Sequence, residues 1–211
     1  VVRPAAVLPR RQPRQARSRQ TVERLLEAAD RLLERDGLLA FNTNAVAAEA
    51  GIDIASLYQY FPAKEAIIYA LLEQRCLGLQ ARCEVWRLEA EHMSLPALLE
   101  QVSNALYPAE GNGWSLSSLQ PMIERVPELK DLTEGFHQDM AAFWADVLQE
   151  RGSILPRPQL IEYCRLFQTL LSSGHGFVAG RPAEHSELLH EWLCDVGLTM
   201  LRRCLPGGSG I

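Results

Sequence analysis

The stretch from Asn42 to Glu65, NTNAVAAEAGIDIASLYQYFPAKE, leaves the chain few ways to fold. Thr43 is a capping residue, its side-chain oxygen suited to a backbone N–H left without a partner at a helix start. Val46, Ala47 and Ala50 follow at three- and four-residue spacing and so share one face. Gly51 predicts a helix end in the left-handed conformation that glycine adopts most cheaply. Ala47, four residues earlier, offers a small side chain where two steeply crossed helices approach. Asp53 is expected to cap a second helix, with Ile52, Leu57 and Phe61 on its buried side. Phe61-Pro62 closes that helix, because proline biases the residue before it away from helical geometry. Two short helices about a glycine turn make a helix-turn-helix, here over 42–61.

The residues carry more than the spacing does. GIDIASLYQYFPAKEAI resembles the second half of the DNA-binding domain of TetR-type (TetR/AcrR) transcriptional regulators. Gly51, Ser56, Leu57, Tyr58, Tyr60, Phe61, Lys64 and Glu65 match that family's G-[VI]-S-x-x-[ST]-[LI]-Y-x-[YH]-F-x-[SN]-K-E-x-[LI] pattern. Upstream, Leu26 to Ala29, Leu33 and Gly37 look like its first helix and the end of it. The resemblance spans roughly residues 20–72. Two positions depart from it: Asp53 stands where the family usually has serine, and Ile54 where it often has a polar or basic residue.

A net charge of −5 over 211 residues argues at first against a nucleic-acid partner. Its distribution reverses the argument. Arg3, Arg10, Arg11, Arg14, Arg17 and Arg19 give residues 1–19 a charge of +6 with no acid, leaving −11 for the remainder. Such an arm either lies along phosphates or is a solvated tail. Between residues 20 and 62 three arginines face seven acids. The arm and Lys64 are therefore expected to supply much of the attraction to DNA.

Helical periodicity runs through the rest, and the fold class expected is all-α, about nine helices. Helices are predicted over 20–36, 63–91, 94–107, 128–151, 159–178 and 183–205, with one or two short ones between Trp114 and Val126. Loops are expected at 108–113 and 152–158, and Gly180-Arg181-Pro182 makes a short antiparallel connection. The domains read as a basic flexible arm (1–19), the DNA-binding domain (20–72), a helical effector-binding and dimerisation domain (73–205) and a tail (206–211). No apolar run reaches the length of a membrane span and no secretion signal is evident. Five scattered cysteines without CxxC read as reduced thiols, and the expected location is cytoplasmic.

In a helix-turn-helix the second helix presents its N-terminal residues to the major groove. Ile54, Ala55 and Ser56, with Gln59 a turn later, are the candidates for base contact. Ile54 and Ala55 suit a thymine methyl, and Gln59 suits adenine. By resemblance to the family, Thr43, Tyr58, Tyr60 and Lys64 contact phosphates; Tyr60 packs in the small core as the alternative. Arg17, Arg19 and Asn44 complete the DNA-binding set.

The resemblance also implies a regulatory domain in which middle helices enclose an effector and the last two helices build a homodimer reading a palindromic operator. Trp86, Tyr107, Trp114, Met122, Phe136, Met140, Phe143, Trp144 and Phe167 are pocket candidates, with His137 and Gln168 as polar contacts; plain core is the alternative for each. They point to a small apolar or aromatic effector. For the dimer interface the candidates are Ser173, Gly176, Phe177, Gly180, Leu189, Trp192, Val196 and Met200.

There is no GxGxxG, P-loop, HExxH or GxSxG, so no catalytic residue, cofactor or metal is expected. His185, His190 and Cys194 are the nearest approach to a metal set, and they read equally as structural residues. A repressor released by its effector is the function expected. The alternatives are an activator, or a small-molecule, redox or metal sensor using the same domain.

Overall fold

The computed structural model describes residues 16–107, 114, 116–178 and 183–207. Among these there is no strand. Contacts gather the chain into two compact units. One runs to Cys76 and takes in Trp114 and Ser118–Leu132; the other takes 77–107 and Thr133 onward.

In the first unit, α1 spans Ala16–Ala40, α2 Thr43–Ala50 and α3 Ile54–Tyr60, and α4 begins at Lys64. Leu25, Ala28, Ala29, Leu32 and Leu33 of α1 recur at three and four residues and are all buried. They meet Phe41, Val46, Ala47, Leu57, Phe61, Ile67 and Ile68, also buried. A core of small alanines and branched aliphatics lets short helices cross closely. Gly37 has φ 71° and ψ 179°, a conformation nearly confined to glycine, and it breaks α1 where the stop was predicted. Helical turns nevertheless resume to Ala40. At its other end α1 begins at Ala16, so Arg17 and Arg19 stand on a helix instead of in a flexible arm.

The second unit holds the rest of α4 (Lys64–Ala90), α5 (Leu95–Leu106), most of α7 (Pro127–Glu150), α8 (Arg157–Val178) and α9 (Ala183–Arg203). Ser94 caps α5 by accepting from the Ala97 N–H, and Pro96 sits in the first turn, where its missing N–H costs nothing. Between α5 and α7 a 3-10 turn (Leu116–Leu119) leads into the single turn α6 (Gln120–Ile123). Pro121 lies in that first turn and Pro127 opens α7, so both prolines stand at helix starts, where a missing N–H costs little. The expected loop at 108–113 and the connection at 180–182 lie outside the described residues.

Helices α8 and α9 pack antiparallel at very short range. A methyl group built on Gly174 would stand 2.3 Å from Leu193 Cδ2, and one on Gly197 would crowd Phe167 and Leu171. Two glycines thus set the separation of this pair. The Tyr163 hydroxyl donates to the Met200 carbonyl (2.9 Å) at one end of it. Among the described residues no helix is long and apolar enough to cross a membrane.

Candidate nucleic-acid interface and regulatory bundle

The helix-turn-helix is held by its caps. Asn42, extended at φ −152°, accepts from the Ala45 N–H through its side chain (2.9 Å) and is the N-cap of α2. Thr43, expected in that role, is already helical. Its hydroxyl is thereby free to pair with the Tyr58 hydroxyl across the motif, at 3.1 Å. Adjacent Asn and Thr are both good caps, and the earlier of the two takes the position. At the other end Gly51 is left-handed (φ 61°, ψ 39°). The Gly51 and Ile52 N–H groups donate back to Ala48 O and Ala47 O, so carbonyls at the end of α2 are satisfied. Asp53 accepts from Ala55 N (2.9 Å) and Ser56 N (3.4 Å) and caps α3 as predicted.

These caps decide which side of α3 faces out. Leu57 and Phe61 are 0% and 1% exposed and anchor the inner side. Ala55, Tyr58, Gln59 and Asn44 are exposed, while Thr43, Ile54, Ser56, Tyr60 and Lys64 are half-buried. Ile52, read as part of the buried side, is also only half-buried. The candidate contact residues of the motif thus reach the surface, and Thr43 and Tyr58 orient each other there. Tyr60 is intermediate between its two readings.

Three arginines of α1 reach α2. Arg24 donates to the Ala50 carbonyl (2.7 Å), placing a cation at a helix C-terminus where the backbone dipole favours it. Arg31 and Arg35 stand at the surface and both pair with Glu49, at 3.3 and 3.4 Å, while Arg35 pairs more closely with Asp36 of its own helix (2.8 Å). These are the three arginines counted between residues 20 and 62, and each has an acceptor within the first unit. Arg17 and Arg19 stand exposed on α1, and Lys64 opens α4.

The pocket candidates divide between the two units. Trp86, Phe143, Trp144 and Phe167 form a run of tilted and edge-on rings at centroid distances of 6.2, 5.3 and 5.6 Å. All four are buried, with Met140 among them receiving the Cys83 thiol at 3.4 Å. Phe136 is buried beside half-buried His137, whose pKa is lowered by burial. Tyr107 and Gln168 are buried in the same unit.

Trp114 and Met122 do not join that set. They belong to the first unit, where the Trp114 indole N–H donates to Asp30 of α1 (2.6 Å) and Arg75 lies over its ring at 4.9 Å. A buried indole needs an acceptor, and Asp30 is the one within reach. Asp30 and Trp114 are 84 positions apart, so no local pattern in the sequence announces this pair.

Of the dimer candidates, Ser173, Phe177, Trp192 and Val196 are exposed, the aromatic pair at 62% and 57%. Gly176, Leu189 and Met200 are half-buried, and Gly180 lies outside the described residues. Leu166, Leu170 and Leu188 extend the same apolar face. Leu166 and Leu170 were missed because an outward apolar stripe has the same period as an inward one.

Of the candidate metal set, His190 Nε2 stands 3.8 Å from Cys194 Sγ, and His185 is exposed. Among the described residues no three His, Cys, Asp or Glu side chains gather as a metal site would need.

Residues 25–71 match the model of bacterial regulatory proteins of the tetR family. No curated protein matches the chain. Among solved structures, a transcriptional regulator from Rhodococcus sp. Rha1 superposes with a TM-score of 0.70 at 21% identity, covering 86% of this chain and 96% of that one. Reduced NemR from E. coli gives 0.66 at 16% identity over 89% and 98%. A TetR transcriptional regulator from Legionella pneumophila gives 0.64 at 16% over 93% and 100%. At these identities the structures establish a shared fold.

Proposed function

We infer that this chain, which carries a tetR-family DNA-binding domain on the fold of the TetR regulators, is a ligand-responsive repressor. The observation that supports this best is the outward side of α3, with Ala55, Tyr58 and Gln59 exposed over a rigidly capped and buried inner side. Residues 20–72 are assigned to DNA binding and 73–205 to effector binding and dimerisation. Ile54, Ala55, Ser56 and Gln59 read base edges, and Thr43, Asn44, Tyr58, Tyr60 and Lys64 take phosphates. Two copies joined through α8 and α9 read a palindrome whose half-sites lie about 34–36 Å apart, one turn of DNA. A small apolar or aromatic effector releases them, in the cytoplasm.

The redox-sensor alternative is disfavoured by the thiols. Burial pushes Cys83 and Cys204 up to about 11 and Cys164 to about 12, and raises Cys194 as well. Thiolates, the species that oxidants attack, are therefore scarce at neutral pH.

Selection of bound fragments from the source genome tests the proposal. A palindrome recovered near a regulated gene is expected; absence of any enriched sequence overturns the reading.

The electrostatics make a second expectation. With Arg24, Arg31 and Arg35 each paired within the first unit, exposed Arg17 and Arg19 carry phosphate contacts. Replacing both by alanine should flatten the slope of log affinity against log salt by about 1.8 per protomer, each contact contributing roughly 0.9. An unchanged slope in a salt series removes them from the interface.

A further inference from the structure

Two polar side chains on α8 are buried without full satisfaction. Gln168 and His175 are 4% and 6% exposed, and among the described residues the Gln168 amide nitrogen and His175 Nε2 have no hydrogen-bond partner. Buried polar atoms in folded proteins are nearly always paired, so two orphans on one helix require a reason. They stand seven residues apart, two turns of α8, about 10.5 Å along its axis.

The chemistry of each orphan is defined. His175 Nδ1 lies 2.7 Å from the Leu171 carbonyl oxygen. A carbonyl only accepts, so Nδ1 carries the proton and Nε2 presents a bare lone pair. Burial lowers the His175 pKa to about 4, which keeps the ring neutral. Gln168 Nε2 is a donor. One end of the site therefore needs an incoming acceptor and the other an incoming donor.

The surroundings of His175 are aromatic. The Tyr107 ring, at the end of α5, stacks flat on His175 (3.9 Å between centroids, 6° between planes), and burial pushes its phenol up to about 12 against a hydrogen bond with Ser172. His190 of α9 stands edge-on to His175 at 5.1 Å. A carboxylate here would face the bare Nε2 lone pair of His175, and any ion would lose its hydration to an aromatic surround.

We propose that Gln168 and His175 are the polar contacts for an uncharged aromatic ligand with a hydroxyl or N–H group at one end and a carbonyl-type acceptor at the other. The ligand's hydroxyl donates to His175 Nε2, and the Gln168 amide donates to its carbonyl. This rests on the reading of the chain as ligand-responsive, and it narrows the effector from apolar or aromatic molecules in general to neutral ones with this donor–acceptor pair.

The test is calorimetric titration of the full chain, without DNA, with para-hydroxyacetophenone. Three analogues accompany it: para-methoxyacetophenone lacks the donor, para-ethylphenol lacks the acceptor, and para-hydroxybenzoate is an anion. The first is expected to bind, and each analogue about tenfold more weakly. Gln168→Leu should erase the preference over para-ethylphenol, and His175→Phe, which keeps a ring against Tyr107, the preference over para-methoxyacetophenone. Because Gln168→Leu removes an orphaned amide, it should also raise the melting temperature of the unliganded chain by about 2–4 °C. No binding by any probe, equal binding of the methoxy analogue, or a lowered melting temperature for Gln168→Leu overturns the proposal. Operator binding by the unsubstituted chain is measured alongside. Probe binding without DNA binding defeats the regulator reading alone; DNA binding without probe binding defeats this inference alone.

Discussion

Trp192→Glu is expected to give a folded monomer that no longer holds its operator. Trp192 is 57% exposed on α9, between exposed Leu188 and Val196, and exposed Leu166, Leu170 and Phe177 continue the apolar face on α8. Exposed apolar surface of this kind is a candidate interface. In a two-fold dimer the same patch meets itself, so one substitution acts twice. Each tryptophan, 57% exposed, has on the order of 140 Å² left to bury in such a contact, about 3.5 kcal/mol at 25 cal/mol per Å². Each glutamate adds a carboxylate that must be desolvated without a partner. Together these exceed the roughly 4 kcal/mol that separates dimer from monomer by a thousandfold in dissociation constant. Operator binding falls with it, because the second half-site is held through effective concentration, a gain of about 10²–10⁴ that a monomer forgoes. Sedimentation and an operator titration check both parts. A variant that sediments as a dimer with unchanged operator affinity places the interface elsewhere.

Much of this architecture is legible in the sequence because its devices are local. Gly37 and Gly51 mark helix ends where backbone geometry excludes other residues, and Asp53 marks a helix start by what its side chain can reach. The long helices follow from apolar period alone. What escapes is what depends on a partner remote in sequence or on which side of a helix is covered. Residues 16–19 join α1, although arginine and serine give them no apolar period to reveal it. Asn42 and Thr43 are chemically equivalent caps, and only the backbone entering α2 decides between them. Trp114 looked like any other buried aromatic until Asp30 and Arg75 gave it a place in the first unit. Leu166 and Leu170 look like core, yet they are exposed. His175 offered no signal, being one histidine on an apolar helix; its significance lies in the carbonyl that fixes its tautomer and the ring stacked on it.

Leu57→Ala is expected to abolish operator binding without touching any group that contacts DNA. Leu57 is fully buried and lies one residue from Ser56 and Tyr58 on the opposite side of α3. Its truncation removes buried apolar area and leaves a cavity in a core that α2 supplies with only the small Val46, Ala47 and Ala50. Substitutions of this type cost about 3–5 kcal/mol. Set against a whole-domain stability of about 5–15 kcal/mol, and in a short three-helix motif with little other core to draw on, the loss frees α3 from its capped geometry. Amide exchange should then show protection lost across α1 to α3 and retained in α8 and α9, the exchange following the local free energy of opening. Ser56→Ala, at a position that reaches the surface, is the contrast: stability within about 0.5 kcal/mol of the parent, and any change in binding traceable to the contact itself. If Leu57→Ala kept both its amide protection and its operator affinity, α3 would not be the element that the rest of the motif exists to position.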